Sequence, residues 1–218
     1  MTSYILNVTT VYPLTENKPR QAIILCHGYG GDGKDISALA INWQRFLPDA
    51  IFLCPNAPEV CSINPRGYQW FDLSTEKEEI ILEKSLIAEE KLSLFIDQVS
   101  ENLELEFKNL AIVGFSQGCM ISIQTVLKKS QQINSLIGYS GKVINQKHLS
   151  ENINSKPKIF LMHGENDTIV SPTHLSEAKG FFDDNGLKIK TKLFKNCEHK
   201  IPVEGSSLGL AFLKKNLL

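Results

Sequence analysis

The 218-residue chain carries 23 Lys and Arg against 24 Asp and Glu, a formal net charge of −1, with 42% hydrophobic and 22% charged residues. That balance supplies no long-range positive field for nucleic acid or an acidic membrane, and the length suits one domain over residues 1–218, with a full core, better than two. No apolar run approaches the roughly 20 residues of a membrane span, and the opening MTSYILNVTT lacks the basic and long apolar regions of a signal peptide, so the cytoplasm is the expected compartment.

In chain order, residues 4–11 alternate loosely like an edge strand, ended by Pro13. The continuous apolar run 22–26 predicts a strand buried on both faces, followed by the loop His27-Gly28-Tyr29-Gly30-Gly31-Asp32-Gly33. Ile36, Leu39, Ala40, Trp43 and Phe46 are spaced for a helix over 35–46. A strand over 50–53 is broken by Pro55 and Pro58 and leads into a long irregular connection, 54–75. Loops that long in a compact domain tend to be functional.

Residues 84–105 read as a helix, 110–113 as a buried strand, and 119–129 as a second helix. Strands are expected at 135–139, 158–162 and 188–194, and helices at 172–184 and 204–217. The Lys pairs at 128–129 and 214–215 read as solvated helix ends, where cations suit the dipole. This alternation argues for an α/β fold, a mostly parallel central sheet with helices on both faces. The cysteines at 26, 54, 61, 119 and 197 are odd in number and widely spread, as expected of buried free thiols in a reducing compartment.

The passage from strand to helix reads Gly114-Phe115-Ser116-Gln117-Gly118, a G-x-S-x-G turn in the strand–turn–helix context that a nucleophile elbow demands. The two glycines let strand and helix close on each other, and the helix start directs unpaired N–H groups at an anion forming near the serine. A serine nucleophile needs a base, and the base an orienting carboxylate. Of the five histidines, His199 has the right chain order, after the last strand and before the last helix. His163 abuts a strand and a glycine and reads as a turn residue; His27 belongs to the glycine loop; His148 and His174 lie in helical or polar surface contexts. Asp167, in the turn after strand 158–162, is the acid, with Glu165 its nearest rival.

Residues 28–33 also match the dinucleotide pattern G-x-G-x-x-G. The second strand should then end in an acidic residue for the ribose, but Leu53 is followed by Cys54-Pro55-Asn56. The loop is better read as turning the backbone N–H of Tyr29 toward the elbow, where it forms an oxyanion hole with the N–H of Gln117.

These residues together resemble the phospholipase/carboxylesterase family, which includes the acyl-protein thioesterases and small bacterial carboxylesterases. The resemblance spans nearly the whole chain, through HGYGGDG (27–33), CPNAP (54–58), WFD (70–72), GFSQG (114–118), SG (140–141), HGENDTIVSP (163–172) and EHKIP (198–202). It implies an α/β-hydrolase fold without a large cap domain, a triad of Ser116, Asp167 and His199, oxyanion donors at Tyr29 and Gln117, no metal or other cofactor, and often a homodimer. Family members commonly carry leucine where Tyr29 stands. The segment 59–69 is shorter than in the eukaryotic acyl-protein thioesterases, which leans toward a general bacterial-type esterase.

The expected activity is hydrolysis of a small-molecule acyl ester, with thioester or lysophospholipid cleavage as the alternatives. Ile63, Tyr68, Trp70 and Phe71 are the candidate walls of a hydrophobic acyl pocket. The competing reading from another class is a binding module that keeps the fold without the chemistry.

Overall fold

The computed structural model describes residues 3–73 and 77–218. In chain order its elements are β1 (Val8–Val11), β2 (Gln21–Cys26), α1 (Gly33–Gln44), β3 (Ala50–Pro55), β4 (Glu59–Val60), β5 (Tyr68–Gln69), α2 (Glu78–Leu103), β6 (Leu110–Phe115), α3 (Gln117–Lys128), β7 (Ser135–Tyr139), α4 (Gln146–Ser150), β8 (Lys158–Gly164), α5 (Thr173–Asp184), β9 (Ile189–Phe194) and α6 (Val203–Leu217).

Seven strands form one sheet in the order β1-β3-β2-β6-β7-β8-β9. Every pairing is parallel except that of edge strand β1 with β3. Strand β2 is buried along its whole length because both of its faces are covered. Ala22, Ile24 and Cys26 pack on one side with Leu92, Phe95 and Ile96 of α2, Ile123 of α3 and Phe182 of α5. Ile23 and Leu25 pack on the other with Leu39, Ala40 and Trp43 of α1 and Phe212 and Leu213 of α6. Alternate side chains of one strand thus serve two cores, which is why its sequence reads as an unbroken apolar run.

Boundaries differ from expectation where polar capping or loop pairing decides them. Helix α1 begins at Gly33 rather than 35 because the Asp32 carboxylate accepts the Asp35 N–H at 2.7 Å as an N-cap. The elbow helix begins at Gln117, directly after the serine, and α2 starts six residues earlier than its apolar spacing suggests. The connection 54–75 contains the short hairpin β4–β5, and its last two residues lie outside the described residues. Lys128 and Lys129 correct the expectation of a solvated helix end. Lys129 is buried against Asp97 (2.8 Å), and Lys128 reaches Glu89 (2.8 Å), so both fasten α3 to α2. All five cysteines are free and buried. No helix among the described residues is long and apolar enough to cross a membrane.

Candidate active site

Ser116 follows the last residue of β6 and caps α3 with φ 53° and ψ −119°, a left-handed conformation that an L-residue adopts only under constraint. Its backbone is held by its neighbours: its N–H donates to the Tyr139 carbonyl (2.8 Å), and its carbonyl accepts from Cys119 (3.0 Å) and Met120 (3.1 Å). The flanking glycines are required sterically. A Cβ on Gly118 would lie 2.2 Å from the Cys26 carbonyl oxygen, and one on Gly114 would lie 2.4 Å from the Gly118 carbonyl oxygen. The N-terminus of α3 therefore sits directly on the carboxyl end of β2.

Three other strand ends converge there. His199, between β9 and α6, has Nε2 3.0 Å from Ser116 Oγ and Nδ1 2.7 Å from Asp167 Oδ2. With Nδ1–H donated to the carboxylate, Nε2 presents its lone pair to the serine hydroxyl. The ring is backed by Phe115, 4.9 Å away between centroids. Asp167 Oδ1 accepts the N–H groups of Val170 (2.9 Å) and Ile169 (3.0 Å). Burial works to raise the Asp167 carboxyl, but the Val170 N–H, the His199 ring and the Ile169 N–H together outweigh it and hold the group below its ordinary value. The aspartate stays ionised.

His163, at the end of β8, adds to this turn. Its buried Nε2 stands 2.9 Å from the Val170 carbonyl oxygen and 3.3 Å from Asp167 Oδ2. Burial lowers its pKa, so it is a neutral ring donating Nε2–H. His27 is likewise lowered by burial and neutral: Nδ1–H donates to the Gly28 carbonyl (2.7 Å), and Nε2 accepts the Ala57 N–H (3.0 Å).

In the glycine loop the N–H of Gly30 donates to Tyr68 O (2.9 Å) and that of Gly31 to Gly28 O (3.1 Å). Neither is free to cradle a pyrophosphate. The N–H groups of Tyr29 and Gln117 donate to no acceptor among the described residues. Gly28 brings the loop against the elbow, since a Cβ there would lie 3.2 Å from that of Ser116. The Gln117 side chain fastens the arrangement from below, accepting from Trp70 N–H (2.9 Å) and donating to Phe71 O (2.6 Å). Burial pushes the thiol of neighbouring Cys119 up to about 12, which removes it as a rival nucleophile near neutrality. Among the described residues no group of three or more His, Cys, Asp or Glu is disposed to hold a metal ion.

The model of the phospholipase/carboxylesterase family matches residues 11–217. The chain belongs to that family. A curated relative is acyl-protein thioesterase 1 of Saccharomyces cerevisiae, 29% identical over 214 residues that cover 91% of this chain and 93% of the yeast protein. The Candida albicans acyl-protein thioesterase 1 is 24% identical, covering 93% and 94%. Among solved structures, esterase PE8 superposes with a TM-score of 0.92 at 31% identity, covering 97% of this chain and 99% of that one. Zea mays acyl-protein thioesterase 2 shares the fold at a TM-score of 0.79 and 20% identity, covering 97% and 99%. The α/β-hydrolase fold follows, and family membership makes the chain a carboxylesterase-type hydrolase.

In this phospholipase/carboxylesterase member, a cleft of about 360 Å³ opens on Ser116 and His199. Leu73, Phe115, Met120 and Ile169 supply its apolar lining, and Lys142, Ser171 and His174 its polar lining. None of the four residues expected as acyl-pocket walls is among the lining residues. Trp70 and Phe71 are fully buried core side chains, Tyr68 packs half-buried against the same core, and Ile63 is 78% exposed at the surface. The reason is that residues 68–71 fold under the glycine loop to support it, with Trp70 Nε1–H bonded to the His27 carbonyl (3.0 Å). Lys142 and His174 carry no motif in the sequence, and Ser171 stands in HGENDTIVSP without a role of its own there. The one hint was position, just past the strands that end at Tyr139 and Gly164. A larger groove, about 520 Å³, lies between α1 and α6 and contains none of Ser116, Asp167 and His199.

Proposed function

We propose that the chain, acting as one hydrolase domain, cleaves carboxylic esters of acyl groups through Ser116, His199 and Asp167 and an acyl-enzyme intermediate. The observation that carries this reading is the single imidazole of His199 spanning Asp167 at 2.7 Å and Ser116 at 3.0 Å. His199 takes the Ser116 proton as Oγ attacks the carbonyl carbon, and the tetrahedral oxyanion accepts from the N–H groups of Tyr29 and Gln117. His199 then gives that proton to the departing alkoxide, the alcohol leaves, and the acyl group remains on Ser116. A water activated by His199 releases the acid and restores the serine. Asp167 keeps the ring in the Nδ1–H tautomer and stabilises the imidazolium without taking the proton itself.

Replacing Ser116 with Ala tests the proposal. Turnover of p-nitrophenyl butyrate falls by several orders of magnitude while the fold is kept, and a fluorophosphonate probe labels the wild type but not the variant. Absence of labelling in the wild type would support a binding module instead.

Thioester cleavage is the second reading, supported by the similarity to yeast acyl-protein thioesterase 1. The same machinery serves it, because a thiolate leaves more easily than an alkoxide. An acyl series comparing oxygen esters, lysophospholipids and thioesters ranks these substrates. The buried free thiols support the cytoplasm as the compartment, and the family resemblance supports a homodimer, which sedimentation velocity would test.

A further inference from the structure

Lys142 lines the cleft that holds Ser116 and His199, three residues beyond the end of β7. It is half-buried, yet among the described residues it makes no ion pair and no hydrogen bond. Lys84, Lys128 and Lys129 show what this chain does elsewhere with such cations, pairing them with Asp72, Glu89 and Asp97. The acid that feels the charge of Lys142 is Glu177 of α5, whose carboxylate is already engaged by His174 Nδ1 at 2.7 Å. A half-buried ammonium with only this distant carboxylate for company recovers little of the hydration it gives up until an anion reaches it.

Sheet order fixes which part of a substrate that anion belongs to. Tyr29 follows β2, on one side of the β6 strand that ends at Ser116; Lys142, His174 and His199 follow β7, β8 and β9, on the other. The group that His199 must protonate is the leaving group, so the leaving group lies on the Lys142 side.

We infer that Lys142 selects esters or thioesters whose leaving group carries an anionic substituent, a phosphate or a carboxylate. This rests on the hydrolase reading above and adds a substrate class to it. The cleft then divides its work: Leu73 and Met120 receive the acyl chain, and the ammonium receives the charge on the departing alcohol or thiol.

The test compares kcat/KM within pairs of esters that differ in the charge of one substituent. One pair is 3-(butanoyloxy)benzoate and its methyl ester; the other is 1-butanoylglycerol 3-phosphate and 1-butanoylglycerol. A third pair, monoethyl and diethyl glutarate, puts the charge on the acyl side. The wild type favours the anionic leaving group roughly ten-fold, the scale of one charge-assisted hydrogen bond, and the preference shrinks with added salt. Lys142→Arg retains the ratio, Lys142→Gln takes it to about one, and Lys142→Glu inverts it. A preference confined to phosphate or to carboxylate identifies the anion.

A ratio near one in the wild type, a ratio that survives Lys142→Gln, or an equal preference in the glutarate pair overturns the inference while Ser116-dependent turnover of neutral esters stands. Turnover of all these esters that persists in Ser116→Ala overturns Ser116 as the nucleophile, and with it the cleft role of Lys142.

Discussion

His163 and Asp167 meet across one turn of chain, with the imidazole Nε2 3.3 Å from the same carboxylate oxygen that His199 holds at 2.7 Å. The one Nε2–H of His163 goes to the Val170 carbonyl (2.9 Å), so the aspartate takes a ring donor on Oδ2 from His199 and two backbone N–H groups on Oδ1. A carboxylate so surrounded has one orientation, and through it His199 has one tautomer. By holding the carbonyl of Val170, whose N–H grips Asp167 Oδ1, His163 is a positioning residue for the proposed triad.

Replacing it with Phe is expected to lower kcat about 10- to 100-fold with little change in KM, as removal of an outer partner commonly does. His163→Gln, which keeps an N–H donor, retains more of the activity. Steady-state kinetics with p-nitrophenyl butyrate measure both. Equal losses in the two variants would reduce His163 to a packing residue.

The rate should itself depend on pH. On the proposed mechanism the ring at 199 must be neutral to accept the serine proton, so kcat/KM is low in acid and climbs to a level as the solution is made alkaline. A profile flat across that range would remove histidine as the base.

Acid stability is governed in part by Asp167. Its folded pKa lies below the ordinary 3.8, so the unfolded chain binds the proton more readily. The stabilisation is fully present above 3.8 and is lost as pH falls through the folded value beneath it. Denaturant midpoints of wild type and Asp167→Asn are therefore expected to differ most near neutrality and to approach each other as the solution is acidified into that window. A gap that widens on acidification would contradict the assignment.

Gln117 offers a test of the support beneath the glycine loop. Gln117→Leu removes the partners of two buried main-chain groups, Trp70 N–H and Phe71 C=O. At roughly 1–3 kcal/mol for each orphaned group, a loss of about 2–6 kcal/mol is expected by chemical denaturation. Esterase activity should fall as well, although the Gln117 backbone N–H is untouched.

The strands were legible in the sequence because burial on both faces writes an unbroken apolar run, as at Ala22–Leu25 and Leu110–Val113. The elbow was legible because only glycine clears the 2.2 Å approach at position 118. Chain order and strand-end position brought out residues 116, 167 and 199, which do stand within hydrogen-bonding distance. The cleft was not legible. Its lining draws one or a few residues each from the ends of β2, β6, β7, β8 and β9, from α3 and α5 and from residue 73, so no periodicity records it. The aromatic stretch Tyr68–Phe71 misled for a related reason: aromatic character marks burial, and only the fold says whether the burial faces a substrate or the underside of a loop. Helix α4 and hairpin β4–β5 are too short for any repeat to declare itself.

The φ of 53° at Ser116 sets heat resistance against turnover at a single position. Glycine would occupy that geometry without strain, so Ser116→Gly is expected to melt above the native chain, and above an alanine variant, while hydrolysing nothing. A lineage kept warm and relieved of its substrate would drift toward that exchange.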